Sequence, residues 1–316
     1  MKKLKIAFVG SGYMANEYAK VLTGKLKNKC EIIGSTNRSN NRIKEFNNKF
    51  KVKKHYKNLD DMMLLSKPDI VIVCVSELST YTVLKKVSNY PCICLIEKPV
   101  GLDFIESKKI LNLRKHKNFL PFVALNRRHY SSVLNAKKLL ENDKSKRIIN
   151  IFDQENSINA KKTGQPHKVV KNWMYANSIH MIDFAYLFGR GIIKSIKKLS
   201  GVKFLQEGIV STKLIFDSGD VVYYHCIWNR PAPWSLQIST TKYFLELKPI
   251  EKLSFLTNKN RKWTSIKSSY LDTKYKPGIF SLLKEILSYK KNKISNLQNL
   301  RYSNDLMRLI RNIYFD

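Results

Sequence analysis

Short apolar runs alternate with amphipathic stretches through the first 125 residues. Residues 4–9 read as a strand and 13–22 as a helix, followed by a strand at 31–36 and helices at 42–50 and 59–65. Residues 69–75, apolar from Ile70 onward, show no alternation, as expected of a strand covered on both faces by crossover helices. The series continues with a helix at 78–87, a strand at 92–96, a helix at 104–114 and a strand at 121–125. Strands that alternate with helices predict a doubly wound parallel sheet.

After about residue 145 the pattern changes. A strand begins at 148–152, 173–188 reads as helix, and 192–247 is mostly strand with a hairpin turn at Asp217-Ser218-Gly219-Asp220. The run from Val221 to Trp228 is rich in β-branched and aromatic residues, which suit a pleated surface. Amphipathic helices at 280–289 and 304–313 close the chain. The prediction is an α/β protein: an N-terminal Rossmann domain over 1–125, then an α+β domain with a largely antiparallel open sheet over 126–316, whose last helices are free to pack back on the first domain.

Composition changes this picture little. A chain of 316 residues with 43% hydrophobic content supports folded cores, and its length exceeds what one core of roughly 250–300 residues holds. The formal charge of +34 raises the question of a polyanionic partner. Only 12 of the 58 cations are Arg, however, and the basic residues are dispersed as pairs such as Lys53-Lys54, Lys137-Lys138 and Lys197-Lys198. Lysine is a solvated point charge, whereas bidentate recognition of bases and phosphates favours Arg. The expectation is a lysine-biased surface and no specific nucleic acid. No apolar run approaches the roughly 18 residues of a membrane span, so no membrane is expected. Five cysteines without a CxxC pair, three of them within strand-like runs, point to a reduced compartment and a cytoplasmic protein. The six histidines include no HExxH, and no metal is expected.

Chemistry enters at Gly10-Ser11-Gly12-Tyr13-Met14-Ala15, between the first strand and the first helix. Gly10 permits a tight turn, Gly12 lets a pyrophosphate approach the backbone, and Ala15 lets helix and strand pack closely. The N–H groups of the helix start then face the phosphates. The second strand ends in Asn37-Arg38-Ser39, where an NAD-binding chain carries an acid for the ribose hydroxyls. A cation in place of that acid favours NADP over NAD. Glu97-Lys98-Pro99 follows the strand at 92–96 and brings Lys98 to the carboxyl edge of the sheet, where open α/β folds bind ligands.

Together these motifs resemble the Gfo/Idh/MocA family of oxidoreductases, in which a Rossmann domain with a Glu-Lys-Pro motif precedes an α/β domain with an open sheet. The resemblance runs over essentially the whole chain and includes Asn126-Arg127-Arg128. It implies hydride transfer between the nicotinamide of NADP or NAD and a ring carbon of a sugar, cyclitol or nucleotide sugar. It also implies Lys98 and His180 as the catalytic pair, His180 as base and Lys98 as the cation that polarises the oxygen. Gly10, Ser11, Gly12, Tyr13, Met14, Asn37, Arg38, Ser76, Glu97 and Lys98 would hold the cofactor. Asn126, Arg127, Tyr175 and Asn177 would contact the substrate.

Family members commonly carry Asp four residues before the His, and this chain has Ala176 there. Asn177, three residues before His180, and Asp183, three after it, share its predicted helical stripe and stand ready to orient the ring. The polar stretch 164–168 reads as a loop, in which Lys168, like Arg127, is a candidate for an anionic substrate group. An open antiparallel sheet needs a cover, so a homodimer or homotetramer through the C-terminal sheet is expected. The alternative is a non-catalytic member that senses cofactor or sugar through protein contacts.

Overall fold

The computed structural model describes residues 2–200, 208–292 and 296–315. The chain divides into two compact units. One comprises Met1–Asn126 and Lys274–Asn304, the other Arg127–Thr273 and Asp305–Asp316.

In the first unit, strands β1 (Leu4–Val9), β2 (Cys30–Thr36), β3 (Ile70–Val73), β4 (Ile93–Glu97) and β5 (Leu120–Ala124) are parallel, in the order β2-β1-β3-β4-β5. The two-residue strand Gln298–Asn299 adds an antiparallel edge to β5. Helices α1 (Tyr13–Thr23), α2 (Asn40–Phe50), α3 (Leu59–Ser66), α4 (Glu77–Val87) and α5 (Phe104–Leu111) alternate with the strands. All four residues of β3 are buried, which is why its sequence shows no alternation. β1 pairs with β2 on one side and β3 on the other, so the winding reverses there and a crevice opens at the carboxyl ends of β1 and β3. Residues 274–304 belong to this unit because the helix Ile279–Asn292 adds Ile279, Leu282, Leu283 and Ile286 to the core that contains Phe8, Ile70 and Leu95. That i, i+3, i+4, i+7 stripe is fully buried, and each such side chain contributes roughly 1.5–3 kcal/mol.

The second unit is built on eight strands: β6 (Ile148–Glu155), β7 (Ile193–Ser200), β8 (Ile209–Phe216), β9 (Val221–Trp228), β10 (Ser235–Ser239), β11 (Tyr243–Leu247), β12 (Leu253–Thr257) and β13 (Asn260–Ile266). Their order is β13-β12-β11-β10-β6-β9-β8-β7, and β6 with β9 is the parallel pair in an otherwise antiparallel sheet. The protein is thus a Rossmann-type parallel sheet plus a largely antiparallel one, the predicted fold class. The hairpin at Asp217–Asp220 turns through Gly219 at φ +83°. Residues 201–207 of the stretch expected to be mostly strand lie outside the described residues.

Three local differences from the sequence expectation matter. First, β6 runs to Glu155 rather than ending near residue 152. Second, in the loop expected at 164–168, residues 164–166 are non-helical while His167 and Lys168 open a short helix, α8, which follows α6 (Ser131–Leu140) and α7 (Ser157–Lys162). α8 (His167–Lys171) starts after Pro166, whose missing N–H costs nothing at a helix start, and is pinned by buried Val169. Third, the helix predicted over 173–188 is not uniform. Met174–Ser178 forms a π-turn before α9 (Ile179–Phe188), and the wider turn shifts the side-chain phase that a regular helix would give.

Candidate functional site

In the first unit the glycine turn is shaped as its sequence suggests. Gly10 has φ +97°, and a Cβ there would lie 2.1 Å from the carbonyl oxygen of Cys74. Gly12 begins α1, and a Cβ on it would meet nothing within 4 Å, so the space before the helix start is open. No acid lies in the first turn of α1, and Ala15 is fully buried beneath it. Asn37 Nδ2 donates to Ser11 Oγ at 2.7 Å, joining the end of β2 to the glycine turn.

The cleft around this turn has a volume of about 600 Å³, within the usual range of small-molecule sites. Gly10, Ser11, Gly12, Asn37, Arg38 and Ser76, six of the residues expected to hold a cofactor, line it. Ser76 also caps α4, its Oγ accepting from Leu78 N at 3.3 Å. Arg42, Lys57 and Lys86 join Arg38 in the lining, and no carboxylate does. Unpaired N–H groups at a helix start and an acid-free basic wall fit a dinucleotide with its phosphates.

Other expected cofactor residues are placed differently. Tyr13 is exposed, with the Lys276 ammonium 5.4 Å from its ring centroid, and Met14 packs against the hydrophobic core. Glu97 accepts a hydrogen bond from the buried Tyr18 hydroxyl of α1. Burial pushes the Glu97 carboxyl above the usual carboxylate range, against the pull of Lys98, of the Tyr18 bond and of Lys276. The bond to α1 fixes the end of β4, from which the partly buried Lys98 and the cis Lys98–Pro99 bond follow. Asn126 is buried and donates to Pro277 O at 3.2 Å.

In the second unit His180 is buried in the first turn of α9, and Asp183, three residues on, is buried in an ion pair. Arg128 donates to it twice, from Nε to Oδ2 and from Nη2 to Oδ1, the latter at 2.8 Å. The Arg127 guanidinium lies over the Trp234 ring, 4.3 Å from its centroid. Tyr175 and Ala176 are buried in the π-turn. Asn177 Nδ2 donates to Glu155 Oε2 at 2.9 Å, and Ser178 Oγ donates to Glu155 Oε1 at 3.0 Å. Tyr224 donates its hydroxyl proton to Asp153 Oδ2 at 2.8 Å.

Asp153 and Glu155 are each 1% exposed, and both point to the covered face of β6. Burial, with the neighbouring Asp153 second, pushes Glu155 well above the carboxylate range. Burial also raises Asp153, while Tyr224, Ser178 and Arg127 oppose the rise. Among the described residues no group of His, Cys, Asp and Glu is arranged to hold a metal ion, and no helix is long and apolar enough to cross a membrane.

Residues 4–125 match the family model described as oxidoreductase family, NAD-binding Rossmann fold, Gfo/Idh/MocA. Over this N-terminal domain the chain is similar to the Gfo/Idh/MocA family. An uncharacterized oxidoreductase of Schizosaccharomyces pombe is 26% identical over 150 residues, which are 47% of this chain and 41% of that relative. The chain therefore matches less than half the length of that curated relative. Among solved structures, the UDP-N-acetylglucosamine 3-dehydrogenase of Acidithiobacillus ferrooxidans superposes with a TM-score of 0.79 at 11% identity, over 99% of this chain and 97% of that one. A putative NADPH-dependent oxidoreductase from Desulfitobacterium hafniense gives 0.80 at 13% identity, over 98% and 94%. A putative myo-inositol dehydrogenase from Sinorhizobium meliloti gives 0.74 at 13%, over 98% and 95%. At these identities the likeness is one of fold.

The sequence motifs point to the Gly10 turn, Lys98 and His180 and pass over the acids of β6. The signal was present. Ile149, Ile151, Asp153 and Glu155 alternate along one strand, and ending that strand at 152 removed the two acids from its inner face. Tyr224 and Tyr314, which close the cluster, come from distant parts of the chain and carry no local mark.

Proposed function

We propose that the protein is an NADP-dependent oxidoreductase that moves a hydride between nicotinamide and a ring carbon of a sugar, cyclitol or nucleotide sugar. The observation that carries this reading is the cleft at Gly10 and Gly12, with four basic side chains in its wall and no acid. An acid at the end of β2 would repel a 2′-phosphate; Asn37 and Arg38 stand there instead. Two fold relatives, a nucleotide-sugar dehydrogenase and a putative inositol dehydrogenase, support a polyhydroxylated ring as substrate.

Oxidation of a carbinol removes H⁻ from carbon and H⁺ from oxygen. The bound nicotinamide supplies the hydride acceptor. His180 takes the hydroxyl proton on a ring nitrogen, and the Lys98 ammonium stabilises charge developing on the oxygen; carbonyl reduction runs the same steps backwards. Arg127 and Tyr175, with one amide face each of Asn126 and Asn177, are the proposed substrate contacts.

The test is a panel of sugars, cyclitols and nucleotide sugars, assayed by nicotinamide absorbance with NADP and NAD in parallel. Turnover with at least about tenfold higher kcat/KM for NADP is expected, the effect of roughly 1.4 kcal/mol from one charge-assisted contact. Preference for NAD would remove the role given to Arg38. Silence across the panel, with cofactor still bound, would favour a sensing protein, the reading that Ala176 supports.

The second unit also carries the proposed self-association. On the face of β6 opposite the acids, Ile148 and Phe152 are exposed, and Phe152 stacks on His225 of β9 at 5.3 Å. A second copy covering this face would give a dimer or a tetramer, and light scattering behind a sizing column should report a mass of at least two chains. A monomeric mass at micromolar concentration would rule it out.

A further inference from the structure

A closed circuit of polar groups lies inside the second unit. From Glu155 Oε1 it passes to Ser178 Oγ at 3.0 Å, to the Tyr314 hydroxyl at 3.3 Å, to the Tyr224 hydroxyl at 3.0 Å and to Asp153 Oδ2 at 2.8 Å. One residue of β6 then joins Asp153 back to Glu155. No member is more than 2% exposed, so water does not reach the circuit.

Counting protons decides its charge. The circuit has four hydrogen-bonded links, and three hydroxyls supply three protons. With both carboxyls ionised, one link would set two lone pairs against each other, and two negative charges would share a dry site. With one carboxyl protonated, all four links carry a proton in a single direction. Two such states exist: Asp153 donates and Glu155 is the anion, or Glu155 donates and Asp153 is the anion. A concerted shift of four protons interconverts them. Two neighbouring carboxyls that hold one proton are the expected outcome where like charges cannot both be solvated.

The groups around the circuit bear on where the charge rests. From β9, Cys226 hydrogen-bonds to both tyrosines, and burial pushes its thiol well up. Arg127 acts on Asp153 from a distance. At the other end, Asn177 and Ser178 both donate to Glu155. Those two residues end the π-turn and lead into the turn of α9 that carries His180.

We propose that Asp153 and Glu155 share one proton through Ser178, Tyr314 and Tyr224, and that the remaining negative charge is held on Glu155 by Asn177 and Ser178, which lead into the turn that carries His180. Glu155 is then a positioning residue whose charge favours the imidazolium formed when His180 takes the substrate proton. The circuit's own proton count does not change during turnover. This second part rests on the hydride-transfer reading; the shared proton does not.

The experiment uses the full-length protein and its Asp153→Asn and Glu155→Gln variants. Native-minus-variant infrared difference spectra in H₂O and D₂O at neutral pH, in which any band of the buried Glu97 cancels, should show the isotope-sensitive C=O stretch of one buried neutral carboxylic acid. The same band should be lost in either single variant, because the new amide supplies the fourth proton. No such band in the difference spectrum of either variant would overturn the shared proton. For turnover, with the panel sugar that reacts, Glu155→Gln should lower kcat roughly tenfold, with KM within about twofold. Asp153→Asn, which leaves the charge on Glu155, should keep kcat within about twofold. Equal losses in the two variants, or none in either, would overturn the role of the charge. A panel without any turnover removes that role together with the hydride-transfer reading, and the band still decides the proton.

Discussion

His180→Ala and Lys98→Met will each lower kcat by about 10²–10⁴-fold, the range that one positioned acid or base contributes, while affinity for NADPH stays within about twofold. The two effects have different origins. Without His180 the hydroxyl proton has no positioned acceptor, so hydride departure would leave a high-energy protonated carbonyl. Without Lys98 the proton has an acceptor, but charge on the oxygen is no longer neutralised in a site of low dielectric. Neither side chain lines the cleft at Gly10, so fluorescence titration of each variant with NADPH should give near-parental curves. Methionine keeps the length and stem packing of Lys98 and removes only its charge. Rates close to parental in both variants would end the assignment of these residues and leave the sensing reading in its place.

How much of this was legible in the sequence depends on the range of the signal. The Rossmann half was readable almost strand by strand, because Gly10, the unbroken apolar run of β3 and Glu97-Lys98-Pro99 are each local and each physically forced. Gly10 shows why: its positive φ and its contact with the Cys74 carbonyl exclude any side chain. The second half was readable in kind but not in detail. A π-turn at Met174–Ser178 leaves no mark in hydrophobic periodicity, since the stretch remains buried whichever way it winds. The acid circuit was hidden for another reason: two carboxylates on a strand read as its solvent face until the register with Ile149 and Ile151 is followed through. Buried acids are affordable only where distant hydroxyls reach them, and no local pattern announces that Tyr224 and Tyr314 will do so.

The same logic makes Arg128 a residue whose loss should cost the second unit heavily. Asp183 is 2% exposed, and both of its oxygens accept from the Arg128 guanidinium, itself buried. Removing one member of a buried pair leaves the other charge in a medium that cannot solvate it, at a cost of about 3–5 kcal/mol. Arg128→Ala should therefore lower the melting temperature of the second unit by roughly 10 °C, taking about 2–4 °C per kcal/mol for a unit of this size. Arg128→Lys should recover only part of that loss, because an ammonium cannot match the planar two-point contact. The double replacement Arg128→Met with Asp183→Leu removes both charges at similar volume and should come close to the parent. Circular dichroism melts of the three variants measure the set. If Arg128→Ala and the double variant melt together, the pair is not what holds α9, and the stability of the His180 turn has to be sought in its apolar contacts instead.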